Sequence, residues 1–232
     1  GELPFEKAGL PVIFTDNHKP YKQRKVRILN GAHTSFVLAS YLAGNDYVGQ
    51  SMDDETVFSF MKETIFGEVI PTLDLPESEL LEFAEAVIDR FKNPFIKHSL
   101  RAISLNSVSK WKARVLPTFR DHFEDFNALP KLITFSFAAL LAFYRSSDLR
   151  QDGLYAKRSD GTEYVVHDDE AVLCCFAKNS PLADADYVKN IACQKDFWGE
   201  DLSLYPAFCE TVCMHLAAIT ADPVRAMEEV LQ

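Results

Sequence analysis

The chain has 232 residues, 47% of them apolar and 25% charged, a globular composition with enough length for one large domain or two small ones. No apolar run is long enough to cross a bilayer, and Gly1-Glu2-Leu3-Pro4-Phe5-Glu6-Lys7 lacks the basic and apolar regions of a secretory signal, so no membrane partner and no export are expected. A net charge of −10 argues against a nucleic-acid partner, which selects for a basic footprint.

In chain order, residues 1–24 read as irregular with one short strand, Val12-Ile13-Phe14-Thr15, broken by Asp16-Asn17 and then Pro20. From Lys25 the pattern is helical: Ile28, Leu29, Ala32, Phe36, Ala39 and Ala43 keep helical spacing until Gly44-Asn45. Ser51 to Asp54 offer N-caps for a helix over 53–69, and Pro76-Glu77-Ser78-Glu79 opens another that runs to Lys92. Past Asn93-Pro94, one or two helices reach Ser109, a further one ends at Pro117, and 118–127 is helical again. Pro130 introduces an almost uncharged helix, Lys131 to Tyr144, apolar nearly all round and so expected at the centre of the core. Tyr155-Ala156-Lys157 and Thr162-Glu163-Tyr164-Val165 flank Ser159-Asp160-Gly161, a β-hairpin signal over 155–165. A helix starts at Asp168-Asp169-Glu170, and two or three more close the chain with breaks at Gly199 and Asp222-Pro223. The fold class expected is mainly α and multi-helical with one small hairpin.

Some motifs are missing. There is no Gly-x-Gly-x-x-Gly after a strand, no phosphate-binding P-loop and no βαβ alternation, so a dinucleotide cradle is not expected in this chain. The cysteines, Cys174, Cys175, Cys193, Cys209 and Cys213, are odd in number, which disfavours a secreted disulfide scaffold and points to the cytoplasm. Cys209 and Cys213 share a helix face but His215 points elsewhere, so free, mostly buried thiols and no metal are expected.

Two stretches carry charge of one sign. Asn17 to Asn45 holds five Lys or Arg, Arg90 to Arg120 holds eight, and neither holds an acid; all 34 acids lie in the remainder. Such segregation fits a positive cleft for a small anion, or two solvated faces opposite acidic neighbours.

Lys25, Asn30 and His33 stand at offsets zero, five and eight. At about 100° per residue they fall near roughly 0°, 140° and 80°, on one helix face together with Leu29 and Val37. A lysine depressed toward the working pH by burial and by Lys22, Arg24 and Arg27 could exchange a proton with an alcohol, while Asn30 and His33 donate to a carbonyl. A cap lysine, a core asparagine and a structural histidine would give the same spacing.

Lys-x4-Asn-x2-His resembles the signature of the long-chain mannitol dehydrogenase family of polyol-specific, NAD-dependent dehydrogenases. The wider run Arg24-Lys25-Val26-Arg27-Ile28-Leu29-Asn30-Gly31-Ala32-His33-Thr34 is similar to family members that interconvert D-tagaturonate and D-altronate in hexuronate catabolism. A second block, Arg90-Phe91-Lys92-Asn93-Pro94-Phe95-Ile96-Lys97-His98 through Leu116-Pro117-Thr118, is similar in order and spacing. The resemblance implies that residues 1–24, with Leu3 to Asp16, are the crossover from a missing N-terminal Rossmann domain that binds NAD. Residues 25–232 would be the helical substrate domain, inactive alone. It implies Lys25 as acid/base, Asn30 and His33 as carbonyl-polarising groups, and no metal. A small anionic sugar acid needs cations that a neutral polyol does not, and Arg101, Lys110, Lys112 and Arg114, with His98 and Lys97 behind them, are the candidates. Trp111 and Phe95 are expected to pack. The same family acting on fructuronate or a neutral polyol, or a non-catalytic helical interaction domain, are the alternatives.

Overall fold

The structure is a computed structural model in which Ala8, Gly9 and residues 12–232 are described. Residues 1–7, 10 and 11, and with them part of the expected crossover segment 1–24, lie outside the described residues. Val12-Ile13-Phe14-Thr15 is not a strand. No strand pairs with it among the described residues, and Val12, Ile13 and Phe14 are exposed; β-propensity without a ladder partner makes no strand.

Helical structure begins at Lys19, ahead of Lys25, as α1 (Lys19–Arg24), continues as a π-helical segment, π1 (Lys25–Gly31), and then as α2 (Ala32–Leu42). Pro20 does not break this stretch but sits in its first turn, where its fixed φ and missing N–H carry no penalty. Next come α3 (Val48–Asp53), α4 (Glu55–Glu63), a second π segment, π2 (Thr64–Val69), and α5 (Glu77–Phe91). Asp54, one of the expected N-caps, caps α4 through Thr56 and Val57 N–H, so the expected helix over 53–69 is α4 with its continuation π2, preceded by the unexpected α3. Short helices α6 (Leu100–Ile103) and α7 (Ser107–Arg114) lead to α8 (Leu116–Phe126), where Pro117 again opens a helix that it was expected to end.

The expected central helix is α9 (Lys131–Tyr144), buried over nearly its whole circumference and packed between α2 and α13. Strands β1 (Asp148–Arg150), β2 (Gly153–Lys157) and β3 (Glu163–Val166) form an antiparallel sheet in sequence order. The β2–β3 pair is the expected hairpin; β1, only three exposed residues, has no hydrophobic alternation to announce it. The chain closes with α10 (Glu170–Asn179), α11 (Asp184–Ala192), α12 (Lys195–Trp198), α13 (Phe208–Ala221) and α14 (Pro223–Leu231). Gly199 in the left-handed region ends α12, and Asp222 caps α14. The cysteines are free, as expected, but none is fully buried, and Cys174 is exposed.

Several polar groups that enter the core are paired there. Trp111 Nε1 donates to Ser136 Oγ (3.0 Å) and Tyr187 OH to the Leu141 carbonyl (2.8 Å). Arg158, buried beneath Tyr41, ties the sheet to the end of α2 through Asp46 (3.1 Å). The N-terminus of α9 has no side-chain cap of its own, because its N-cap is Pro130. Glu68, on π2, fills that role from a distance: its two oxygens accept from Leu132 N (2.7 Å) and Ile133 N (2.8 Å).

Glu68→Ala is therefore expected to destabilise the chain by about 3 kcal/mol, since two buried N–H groups lose their acceptor. Urea unfolding measures this against Glu82→Ala on exposed α5 surface, expected within about 0.5 kcal/mol of wild type.

Candidate functional site

Residues Asn30 and His33 line a cleft of about 230 Å³. The end of α5 and the loop after it supply Arg90, Phe91, Asn93, Ile96 and His98, and Val48 of α3 closes one side. Arg90 and Asn93 had no role in the sequence reading, although their Arg-Phe-x-Asn-Pro block was its second mark of resemblance and held the available signal. A larger cavity, about 610 Å³ beside Phe123 and Leu204, is a weaker candidate, because its carboxylates are engaged: Glu200 pairs with Arg120, and Asp201 accepts from Ser203 N (3.0 Å).

The π geometry of Lys25–Gly31 changes how the candidate residues relate. Hydrogen bonding from i to i+5 makes positions five apart neighbours on successive turns, so Lys25 and Asn30 lie one turn apart where an α-helical wheel separates them by roughly 140°. The segment is pinned on its other side. Arg27, 7% exposed, pairs with Asp121 of α8 and lies 3.4 Å from the Thr72 carbonyl. At Gly31 a Cβ would lie 3.2 Å from the Arg114 carbonyl, so α7 and π1 approach as only glycine allows without adjustment.

His33 is held by aromatic packing. Its ring centroid lies 4.1 Å from Phe91 and 5.5 Å, edge-on, from His98. Burial, with His98 and Arg114 nearby, lowers its pKa from 6.5 to about 3, so the imidazole is neutral near neutral pH. Its Nε2 is buried and has no partner among the described residues. The Asn30 amide likewise makes no hydrogen bond there, while its carbonyl accepts from Thr34 Oγ1 (2.9 Å). Two adjacent groups that can hydrogen-bond a carbonyl or hydroxyl thus border one cleft without partners.

Lys25 is exposed and does not line this cleft. The like charges expected beside it are spent elsewhere: Arg27 on Asp121, Arg24 on Glu79 (3.8 Å) and stacked on Phe83 (4.5 Å). Of the anion-binding candidates, His98 lines the cleft; Arg114 does not line it but lies behind its Asn30 wall, 3.5 Å from Thr34 Oγ1, which itself bonds the Asn30 carbonyl. Lys110 Nζ is held by the Ile103 carbonyl (2.8 Å), one turn before Arg114 on α7. Lys112 points away, toward the Asp196 carbonyl (3.4 Å), and exposed Arg101 meets the Val165 carbonyl (3.4 Å) on β3. Trp111 packs in the core as expected, but Phe95 is 92% exposed at the cleft's outer loop. No group of three or more His, Cys, Asp or Glu able to hold a metal occurs among the described residues.

The family described as the mannitol dehydrogenase C-terminal domain matches residues 17–220. An altronate oxidoreductase of Yersinia enterocolitica is 40% identical over 97% of the chain and 46% of its own length. That of Pectobacterium carotovorum is 40% identical over 98% of the chain and 47% of its own length. The chain therefore spans about half the length of the curated relatives it matches. Among solved structures, a ternary complex of Pseudomonas fluorescens mannitol 2-dehydrogenase with NAD and D-mannitol superposes with a TM-score of 0.83 at 21% identity, over 100% of this chain and 44% of that one, a likeness of fold.

The depressed His33 pKa has a thermodynamic consequence. The unfolded state binds the proton between pH 6.5 and about 3 and the folded state does not, so this group's contribution is intact above pH 6.5 and is lost as the pH falls toward 3. Urea titrations from pH 7 to 4 are expected to show a stability slope of up to about 1.4 kcal/mol per pH unit from this residue, flattened in His33→Gln.

Proposed function

The chain belongs to the mannitol dehydrogenase C-terminal domain family, and from that premise we propose that it is the substrate-binding and acid/base domain of an NAD-dependent oxidoreductase that interconverts D-tagaturonate and D-altronate. The observation that carries the reading is the π1–α2 turn, where Lys25 stands one turn from Asn30, and Asn30 shares a cleft with the unpartnered Nε2 of His33. The substrate is drawn from the altronate oxidoreductases that resemble the chain at 40% identity.

The described residues offer no parallel sheet and no glycine-rich strand-to-helix turn, and their one sheet is a small antiparallel one, so a dinucleotide does not fit this chain alone. NAD, held by an N-terminal Rossmann domain of the same polypeptide, would supply or accept the hydride. The residues of this chain do the rest. Asn30 and His33 hydrogen-bond the substrate oxygen, and they favour the charge that grows there because neither side chain is committed to a partner among the described residues. His33 stays neutral as it does so. Lys25 Nζ gives its proton to the alkoxide on reduction and takes one from the hydroxyl on oxidation. Its exposure leaves it open to proton exchange with solvent.

The full-length protein is expected to oxidise NADH with D-tagaturonate, and Lys25→Ala is expected to lower kcat by about 1,000-fold. D-fructuronate and D-fructose run in parallel. A preference for either would overturn the substrate, and equal turnover by mutant and wild type would point instead to an interaction domain. The chain by itself is expected to show no turnover, since the substrate has no hydride partner in reach.

A further inference from the structure

Several cations of the two positive stretches already have partners. Arg27 pairs with Asp121, Arg24 with Glu79, and Arg120 with Glu200; Lys92 lies 4.3 Å over the Phe58 ring. Lys110 and Lys112 donate to backbone carbonyls. Arg90 and Arg101 are exposed, and a hydrated guanidinium needs no counter-ion.

Arg114 differs from all of these. It is half-buried, and among the described residues it has no carboxylate partner and one side-chain hydrogen bond, to Thr34 Oγ1 at the 3.5 Å limit. Thr34 Oγ1 donates to the Asn30 carbonyl, so the guanidinium lies at the Asn30 turn of the helix. Gly31 lets the Arg114 backbone come close to that turn. Desolvation, with no acid to offset it, pushes down the pKa of this guanidinium. A desolvated cation held beside a substrate cleft without an anion is costly, and a protein that keeps one gains when a ligand supplies the anion. A guanidinium also offers the paired donors that a carboxylate accepts.

We propose that Arg114 is the carboxylate anchor of the substrate site, the residue that makes the enzyme select a hexuronate over a neutral ketose. This rests on the hexuronate reading above and deepens it, by assigning to one residue what the sequence spread over a set of cations.

The test compares D-tagaturonate with its neutral counterpart D-tagatose in the full-length protein with NADH. Arg114→Gln is expected to lower kcat/KM for tagaturonate about 100-fold more than for tagatose, mainly through KM. Arg114→Lys keeps the charge but loses the paired donors, and is expected to raise KM for tagaturonate about 10-fold while moving tagatose less. Calorimetric binding of D-altronate should weaken in the same order. Equal losses on both substrates, or none, overturn the assignment while leaving the hexuronate reading intact. A wild type that prefers tagatose overturns both. Should Arg114→Gln fail to fold, the lysine variant decides alone: an unchanged ratio of the two KM values rejects the proposal.

Discussion

The structure depends on how one apolar helix is ended. Because α9 is buried on nearly every side, its first N–H groups cannot reach water, and Pro130 has no side chain to accept from them. Glu68 supplies the acceptor from the opposite element, and it is itself buried and raised in pKa by that burial. The backbone N–H groups it accepts offset part of the cost of holding a carboxylate there. The bond fixes π2 against the start of α9, and π2 in turn packs against π1. A constraint on helix termination thus reaches the helix that carries the candidate site.

Both π-helical segments carry a polar residue that the structure uses, Glu68 at the start of α9 and Asn30 at the cleft. A π turn inserts extra backbone and is kept only where packing over-determines it. In π1 that packing is explicit: Arg27 is locked to Asp121 and Thr72 on one side, and Gly31 accepts the close approach of α7 on the other. Lys25 and Asn30 remain outside the buried side of the turn. The preorganisation therefore comes from residues that do no chemistry, and it is what places Lys25 and Asn30 on successive turns.

Much of the fold is legible in the residues. The run 131–144, charged only at Lys131, can only be a core helix, Asp160-Gly161 can only turn, and Asp54 and Asp222 cap where capping residues should. The failures share a physical cause, since each depends on a partner far away in the chain. Val12–Thr15 has strand propensity but no ladder, and β1 has a ladder but no propensity to advertise it. Pro20 and Pro117 read as breaks because proline is equally suited to the residue after a helix and to its first turn. The π register of Lys25–Gly31 is a property of hydrogen bonding and of the packing around it, and composition does not encode it.

The charge map shows the same limit and why it still informs. Counting acids within a stretch misses Glu79, Asp121 and Glu200, each of which neutralises an arginine from elsewhere in the sequence. Segregation along the chain is therefore not segregation in space. Subtracting the pairs formed in three dimensions leaves a smaller set, and burial then ranks it, because only a desolvated cation incurs a large cost for standing alone. Arg101 and Lys112 fall out by position and Arg90 by exposure, while His98 stays at the cleft as a neighbour of His33. The sequence shows that positive charge is concentrated in two stretches of the chain. Which of those charges still lacks a partner becomes visible only in the fold.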